Sequence, residues 1–189
     1  MWFSDSLFVM PEIETDRLLL RRLCIRDAQA MYEYTCHEAV ARHVLWEAHR
    51  SISDTRNYIR YMMRKYRLGD PASWGIEYKP TGAIIGTIGY MWHNPDHASV
   101  EVGYSLNDAY WNLGIMTEAL SAVIRYSFTK MHINRIEAQH ETSNPASGRV
   151  MQKCGMRHEG TLRSRLRNKG NYVDVELYAI LRSDYLNGE

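Results

Sequence analysis

The chain lacks the usual means of stapling or anchoring a protein. Its three cysteines, Cys24, Cys36 and Cys154, are odd in number, widely spaced and form no CxxC pair. That excludes a disulfide framework and a zinc knuckle, and no metal is expected. Reduced thiols of this kind suit a cytoplasmic protein. No run of about 18 apolar residues occurs, so nothing reads as membrane-spanning and no membrane partner is expected. The opening stretch holds Trp2, Phe3, Leu7, Phe8 and Val9. Asp5 interrupts it, no basic region precedes it and Pro11-Glu12 follows, so it does not read as a signal peptide. An excess of one charge is also missing: 23 Lys+Arg against 22 Asp+Glu leave a net charge of +1. A dedicated nucleic-acid binder is usually strongly basic, so that class is disfavoured, although a local basic patch is not. Five prolines and twelve glycines are scattered singly, and no linker or internal repeat is evident.

What is present is an ordinary globular balance. The 189 residues are 45% hydrophobic and 24% charged, which fits one domain over 1–189 with its core in 11–184. Thirteen Tyr and five Trp stand against three Phe, and amphipathic rings suit half-buried surfaces that hold ligands.

The hydrophobic period assigns the elements. Residues 17–23 (RLLLRRL) read as a first strand, and Asp27 offers an N-cap for a helix over 28–35. Ser53 opens a second helix over 53–67, stopped by Gly69-Asp70-Pro71. A meander follows, with strands over 74–78, 84–92 and 99–106. The period then lengthens into a helix over 117–128. A strand over 135–141, a helix over 144–154 and strands over 157–166 and 172–181 complete the chain. Seven strands and four helices in this order predict an α/β fold with a mixed, mostly antiparallel sheet and helices on its faces.

Two stretches carry chemistry. In Glu101 to Leu120 (EVGYSLNDAYWNLGIMTEAL) a strand ends, a short loop holds Trp111 to Gly114, and a helix begins at once. A helix N-terminus has unpaired N–H groups and a positive dipole end, so it can hold phosphate, and Gly114 lets backbone approach a ligand. Alone, the same features describe a plain strand–helix connection. In Asn144 to Met156 (NPASGRVMQKCGM), Asn144 is a natural N-cap, Pro145 lies in the first turn and Gly155 closes the helix. Ser147 on that first turn has no structural requirement.

Taken together and in order, these stretches resemble the GCN5-related N-acetyltransferase (GNAT) superfamily, and most closely its RimJ/RimL-like branch, which acetylates ribosomal-protein N-termini. The resemblance spans nearly the whole chain. It begins at T-x-R-L-x-L-R (Thr15 to Arg21), continues through E-[VI]-G-Y-x-[LI] (Glu101 to Leu106) and Y-W-x-x-G-x-[AM]-x-E-A (Tyr110 to Ala119), and ends with N-x-x-S (Asn144 to Ser147), Gly155-Met156 and Glu159-Gly160.

The resemblance implies a GNAT fold and acetyl-CoA as cosubstrate. The pantetheine arm would lie along the strand at Val102, Gly103, Tyr104 and Leu106. The pyrophosphate would sit on backbone amides of Leu113, Gly114, Ile115, Met116 and Thr117. Asn144 and Ser147 would hold the other side. The acceptor amine, a protein N-terminus or a small amine, would attack the thioester directly.

Such a reaction needs a base for the ammonium, an acid for the leaving thiolate and donors for the oxyanion. An amide near Tyr104 would serve as oxyanion donor. Met151 occupies the slot of the superfamily's tyrosine acid, so Ser147 is the acid candidate of this branch. Glu101 is the base candidate, because Leu166 stands where a second family glutamate is placed. That substitution keeps open a catalytically weak acetyl-CoA sensor.

The loop departs from the family pattern too, with Leu113 where a polar or basic residue is common. Arg163, Arg165 and Arg167 alternate along one strand, which predicts a shared face: a solvated edge, or a contact for an acidic protein or ribosomal RNA. Asp174 would meet the acceptor amine or one of these arginines. Tyr58, Tyr61, Met62 and Tyr66 read as a core stripe, with an acceptor pocket as the alternative. Monomer and homodimer remain equal expectations.

Overall fold

The computed structural model describes residues 8–187, so Trp2, Phe3 and Leu7 of the opening stretch lie outside the described residues. Eight strands form one sheet. They are β1 (Ile13–Glu14), β2 (Leu18–Arg21), β3 (Ser73–Tyr78), β4 (Ala83–Asn94), β5 (Ser99–Leu106), β6 (Arg135–Glu141), β7 (Arg157–Asn168) and β8 (Asn171–Leu181). Six helices accompany them: α1 (Ala28–Thr35), α2 (Glu38–Ala41), α3 (Ile52–Leu68), α4 (Ile115–Lys130), α5 (Pro145–Lys153) and α6 (Arg182–Asn187). The expectation of seven strands and four helices falls short by β1, α2 and α6. These have two, four and six residues, too few to carry a hydrophobic period. Among the described residues no helix is long and apolar enough to cross a membrane.

The sheet order is β1-β2-β3-β4-β5-β6-β8-β7, and every pairing is antiparallel except β5 with β6. Helices cover both faces. Tyr90 and Val102 are paired on the face that meets α4, where the Tyr90 and Ser127 hydroxyls lie 2.6 Å apart. The opposite face meets α1 and α3 at a small cavity lined by Tyr34, Tyr58, Thr87 and Ser105.

The caps of α3 and α1 differ from expectation. α3 opens at Ser51, two residues before Ser53. The Asp54 carboxylate accepts the N–H groups of Arg50 and Ser51, each at 3.0 Å, and Gly69 closes the helix at φ +69°. Asp27 makes no side-chain cap for α1. Its carboxylate is buried, accepts the Cys24 N–H at 2.8 Å, and takes the forked Arg21 guanidinium at 2.8 and 2.9 Å. A short polar residue before a helix reads as a cap, and nothing local announced the arginine six residues earlier.

The β7–β8 hairpin turns through Lys169 (φ +48°) and Gly170 (φ +87°), the two-residue turn whose twist matches flanking strands. On β4, Gly89 faces Gly103 in the register with β5. A Cβ on Gly89 would stand 2.3 Å from both the Ala72 oxygen and the Ser73 Cα, so β3 packs where only hydrogen fits. Gly89→Ala is expected to lower unfolding stability by about 3 kcal/mol through forced displacement of β3. Urea denaturation checks this, and a wild-type midpoint would refute it.

Candidate functional site

β5 and β6 run together only briefly. Ser99, Val100 and Glu101 pair with Arg135, Ile136 and Glu137, and the pairing stops there. β4 continues along β5 to Leu106, and β8 continues along β6 to Glu141. The two strands therefore fork, and residues 102–106 present one edge of main-chain N–H and C=O groups with no strand opposite. Backbone polar groups need partners, and an extended ligand bearing amides can supply them as an added strand does.

Glu101 stands at the fork. A bulge at Met91 shifts the β4 register so that Trp92 pairs with Glu101. The indole Nε1–H donates to Glu101 Oε2 at 2.6 Å, and Gln139 Nε2 donates to Oε1 at 3.0 Å from across the fork. Burial pushes the carboxyl pKa above its ordinary value. The two hydrogen bonds and the Arg165 charge pull against that without reversing it. Glu101 thus keeps a basic carboxylate pinned at the point where the strands separate.

Tyr104 lies three residues on, so its side chain emerges on the opposite face. Its hydroxyl donates to the Ser147 carbonyl at 3.1 Å and accepts from the Ser147 hydroxyl at 2.9 Å. Burial raises the phenol pKa, which keeps it protonated. Ser147 belongs to α5, and Gly148 lets that helix close on β6. A Cβ on Gly148 would lie 2.6 Å from His140 Nε2. Asn144 precedes α5 without a side-chain cap bond, contrary to expectation; its backbone N–H donates to the Glu141 oxygen at 2.8 Å. Gly155 (φ +80°) ends the helix as expected, with the Met156 N–H returning to the Met151 oxygen at 3.1 Å. Met151 is buried in the core.

The loop before α4 completes the cleft. Gly114 sits at φ +75°, a left-handed position suited to glycine. The first helical bond runs from the Glu118 N–H to the Gly114 oxygen at 3.1 Å, so the N–H groups of Ile115, Met116 and Thr117 have no acceptor within the helix. Leu113 is exposed. The loop is tied to the start of β2. Glu118 accepts from the Thr15 hydroxyl (2.6 Å), the Arg17 N–H (2.9 Å) and Arg17 Nε (2.7 Å), and Arg17 Nη1 donates to the Leu113 oxygen (2.9 Å). The T-x-R motif and the glutamate of the loop motif are therefore one structural unit.

An unpaired strand edge, three free amides at a helix start and a glycine between them fit a thioester carried on an amide-bearing arm that ends in phosphates.

Other expected residues are placed differently. Leu166 is half-buried and pairs with Val173. A register slip lies between Leu162 and Leu166, with Ser164 at φ +50°, so strict alternation of Arg163, Arg165 and Arg167 is broken although all three are exposed. Asp174 accepts the Ser164 N–H at 2.7 Å and pins that bulge. On α3, Met62 and Tyr66 are core, Tyr58 lines the small cavity and Tyr61 is exposed. That cavity holds about 20 Å³, space for one water. Among the described residues no group of three or more His, Cys, Asp or Glu is placed to hold a metal.

Comparison with known proteins decides the family. The acetyltransferase (GNAT) domain matches residues 17–157. The chain belongs to the GNAT acetyltransferase family. It is an acetyl-CoA-dependent N-acetyltransferase. An uncharacterized N-acetyltransferase, YoaA of Bacillus subtilis, is 33% identical over 92% of this chain and 98% of its own. The ribosomal-protein uS5-alanine N-acetyltransferase of Escherichia coli is 29% identical over 93% of both chains. Among solved structures, a GNAT-family acetyltransferase from Bacillus anthracis has a TM-score of 0.82 at 29% identity, covering 92% of this chain and 99% of its own. RimL, the ribosomal L7/L12 α-N-protein acetyltransferase, in complex with coenzyme A, shares the fold at TM-score 0.81 and 20% identity, over 90% and 98% of the two chains.

Sequence reasoning missed Trp92 and Gln139, which meet Glu101 only because of a bulge and a fork. It quoted Arg17 and Glu118 as motif letters without joining them. Gly114→Glu is expected to abolish acetyl-CoA binding by placing a strained, bulky anion at the helix start. Calorimetric titration checks this, and normal affinity would show that the loop does not take the pyrophosphate.

Proposed function

We propose that this acetyltransferase modifies a protein N-terminal amine, of the ribosomal-protein alanine type, as a single cytoplasmic domain over 1–189. The observation that carries this reading is the charge pattern around the fork. Glu137 is paired with Arg135 at 2.6 Å, Glu141 with His43 at 2.8 Å and Glu176 with His158. Of these four carboxylates, only Glu101 has no arginine or histidine nitrogen paired with it; its partners are an indole and an amide. One basic carboxylate suits one α-ammonium, whereas a polyamine favours several unpaired ones. The relationship to the uS5-alanine enzyme supports the same acceptor. The three exposed arginines of β7 would offer contacts to ribosomal RNA or an acidic chain.

In this reading the arm of the cosubstrate pairs with Val102, Gly103, Tyr104 and Leu106. Its pyrophosphate rests on 113–117, and Asn144 and Ser147 close the far side. Glu101 takes the ammonium proton through water. The neutral amine then attacks the acetyl carbonyl, its N–C bond forms as the C–S bond breaks, and an amide near Tyr104 stabilises the oxyanion. The Ser147 hydroxyl turns from the Tyr104 phenol, to which it donates at rest, gives its proton to the leaving thiolate and is restored by the proton that the attacking nitrogen sheds as the amide forms.

Thiol release measured against alanine-initiated peptides, polyamines, amino acids and aminoglycosides tests the acceptor. Acetylation of the peptide α-amine is expected. Turnover confined to small amines would overturn the reading, and tight acetyl-CoA binding without any turnover would favour a sensor.

Two substitutions test the roles. Ser147→Ala is expected to lower kcat by about tenfold or more with little change in acetyl-CoA affinity; an unchanged rate removes Ser147 as the acid. Glu101→Gln is expected to lower kcat by about a hundredfold. In the wild type, kcat/KM should fall as pH drops through a value above the ordinary carboxylate range, since protonated Glu101 accepts nothing. That limb should vanish in Glu101→Gln, and its survival would assign the base elsewhere.

A further inference from the structure

The cofactor loop has no cation of its own. Residues 107–118 contain no Lys or Arg but do contain Asp108 and Glu118. Glu118 lies in the first turn of α4, beside the amides read above as the pyrophosphate site, where its charge would repel an anion. The structure answers this with Arg17, the residue just before β2.

The Arg17 guanidinium is held in one orientation. Its Nε and backbone N–H donate to the two Glu118 oxygens, and Nη1 donates to the Leu113 carbonyl. Nη2 has no hydrogen-bond partner among the described residues. Chain neighbours aside, it is the one heavy atom among the described residues within 4 Å of a Cβ built on Gly114, at 3.6 Å, and so lies alongside the open surface of that glycine. The side chain is 41% exposed. A guanidinium with Nε and Nη1 engaged and Nη2 free beside a phosphate loop is arranged for an anion, because it is rigid and always charged.

We propose that Arg17 is a direct ligand of the cofactor pyrophosphate. It neutralises Glu118 through Nε and donates to the phosphate from Nη2. It supplies, from the residue before β2, the cation that Leu113 does not. This rests on the assignment of 113–117 to the pyrophosphate.

The test is binding, not turnover. Titration calorimetry would compare CoA, dephospho-CoA and pantetheine, which carry the pyrophosphate and 3′-phosphate, the pyrophosphate alone, and neither. The variants are Arg17→Gln and Arg17→Lys; the lysine keeps the charge and loses the fork. Arg17→Gln is expected to weaken CoA and dephospho-CoA alike, by about tenfold or more, and to leave pantetheine unchanged. Arg17→Lys should fall between wild type and Arg17→Gln. A ratio of CoA to pantetheine affinity that is the same in all three proteins overturns the proposal, because Arg17 then only packs the loop. Weakening confined to CoA also overturns it, by moving the contact to the 3′-phosphate. Gly114→Glu separates the two levels. Normal CoA affinity in that variant defeats the loop assignment itself. Lost affinity there, with an unchanged ratio in the Arg17 variants, defeats only the role of Arg17.

Discussion

Everything functional in this protein follows from three residue pairs. Ser99, Val100 and Glu101 meet Arg135, Ile136 and Glu137 in the sheet's only parallel register, and then the strands separate. An internal sheet edge is ordinarily a defect, since its unpaired groups invite aggregation or water. Here the edge is kept from closing by what stands beside it. α5 presses on β6 through Gly148 and His140, and Tyr104 reaches from β5 to the Ser147 carbonyl. The two strands are held apart by a helix that also carries a catalytic candidate. The structural device and the chemical one are thus the same contact.

The fork also sorts the side chains. Alternation sends Glu101 to the face of α1 and α3, and Tyr104 to the face of α4 and α5. The proposed base and the proposed acid thus stand on opposite sides of the strand. The bulge at Met91 matters as well. Were Met91 paired and not bulged, it would oppose Glu101, and Trp92 would move on by one residue and take its indole from the carboxylate. A partly buried carboxylate needs such donors, because burial alone disfavours its charge.

Much of this architecture was legible from periodicity. α1, the meander, α4, β6 and the β7–β8 hairpin all lie close to where alternation and turn residues assign them. The failures share a cause. β1, α2 and α6 are too short to show a period. Ser53 and Asp27 look like caps, yet Asp54 and Arg21 take the bonds that decide the local structure. The arginines of β7 are spaced by two, but Asp174 holds Ser164 in a left-handed bulge that breaks the spacing. The site divides in the same way. Backbone features such as Gly114 and the start of α4 are readable, because glycine and helix starts have local signatures. The contacts that aim the site are not. Arg17 and Glu118 are 101 residues apart in the chain, and Glu101 and Gln139 are 38 apart.

Met151 gives a packing reason for placing the proposed acid at Ser147. Ser147 and Met151 are four apart, so both lie on one stripe of α5, a turn from each other. Met151 is 1% exposed and belongs to the core. A tyrosine in that slot would need a partner for its hydroxyl or would leave a buried polar group unsatisfied. With the slot given to packing, a hydroxyl is available one turn nearer the helix start, where Ser147 meets the Tyr104 phenol at 2.9 Å. A phenol is still present in the cleft. It comes from β5, accepts the Ser147 hydroxyl and donates to the Ser147 carbonyl, and so fixes the first turn of α5 beside the forked strand.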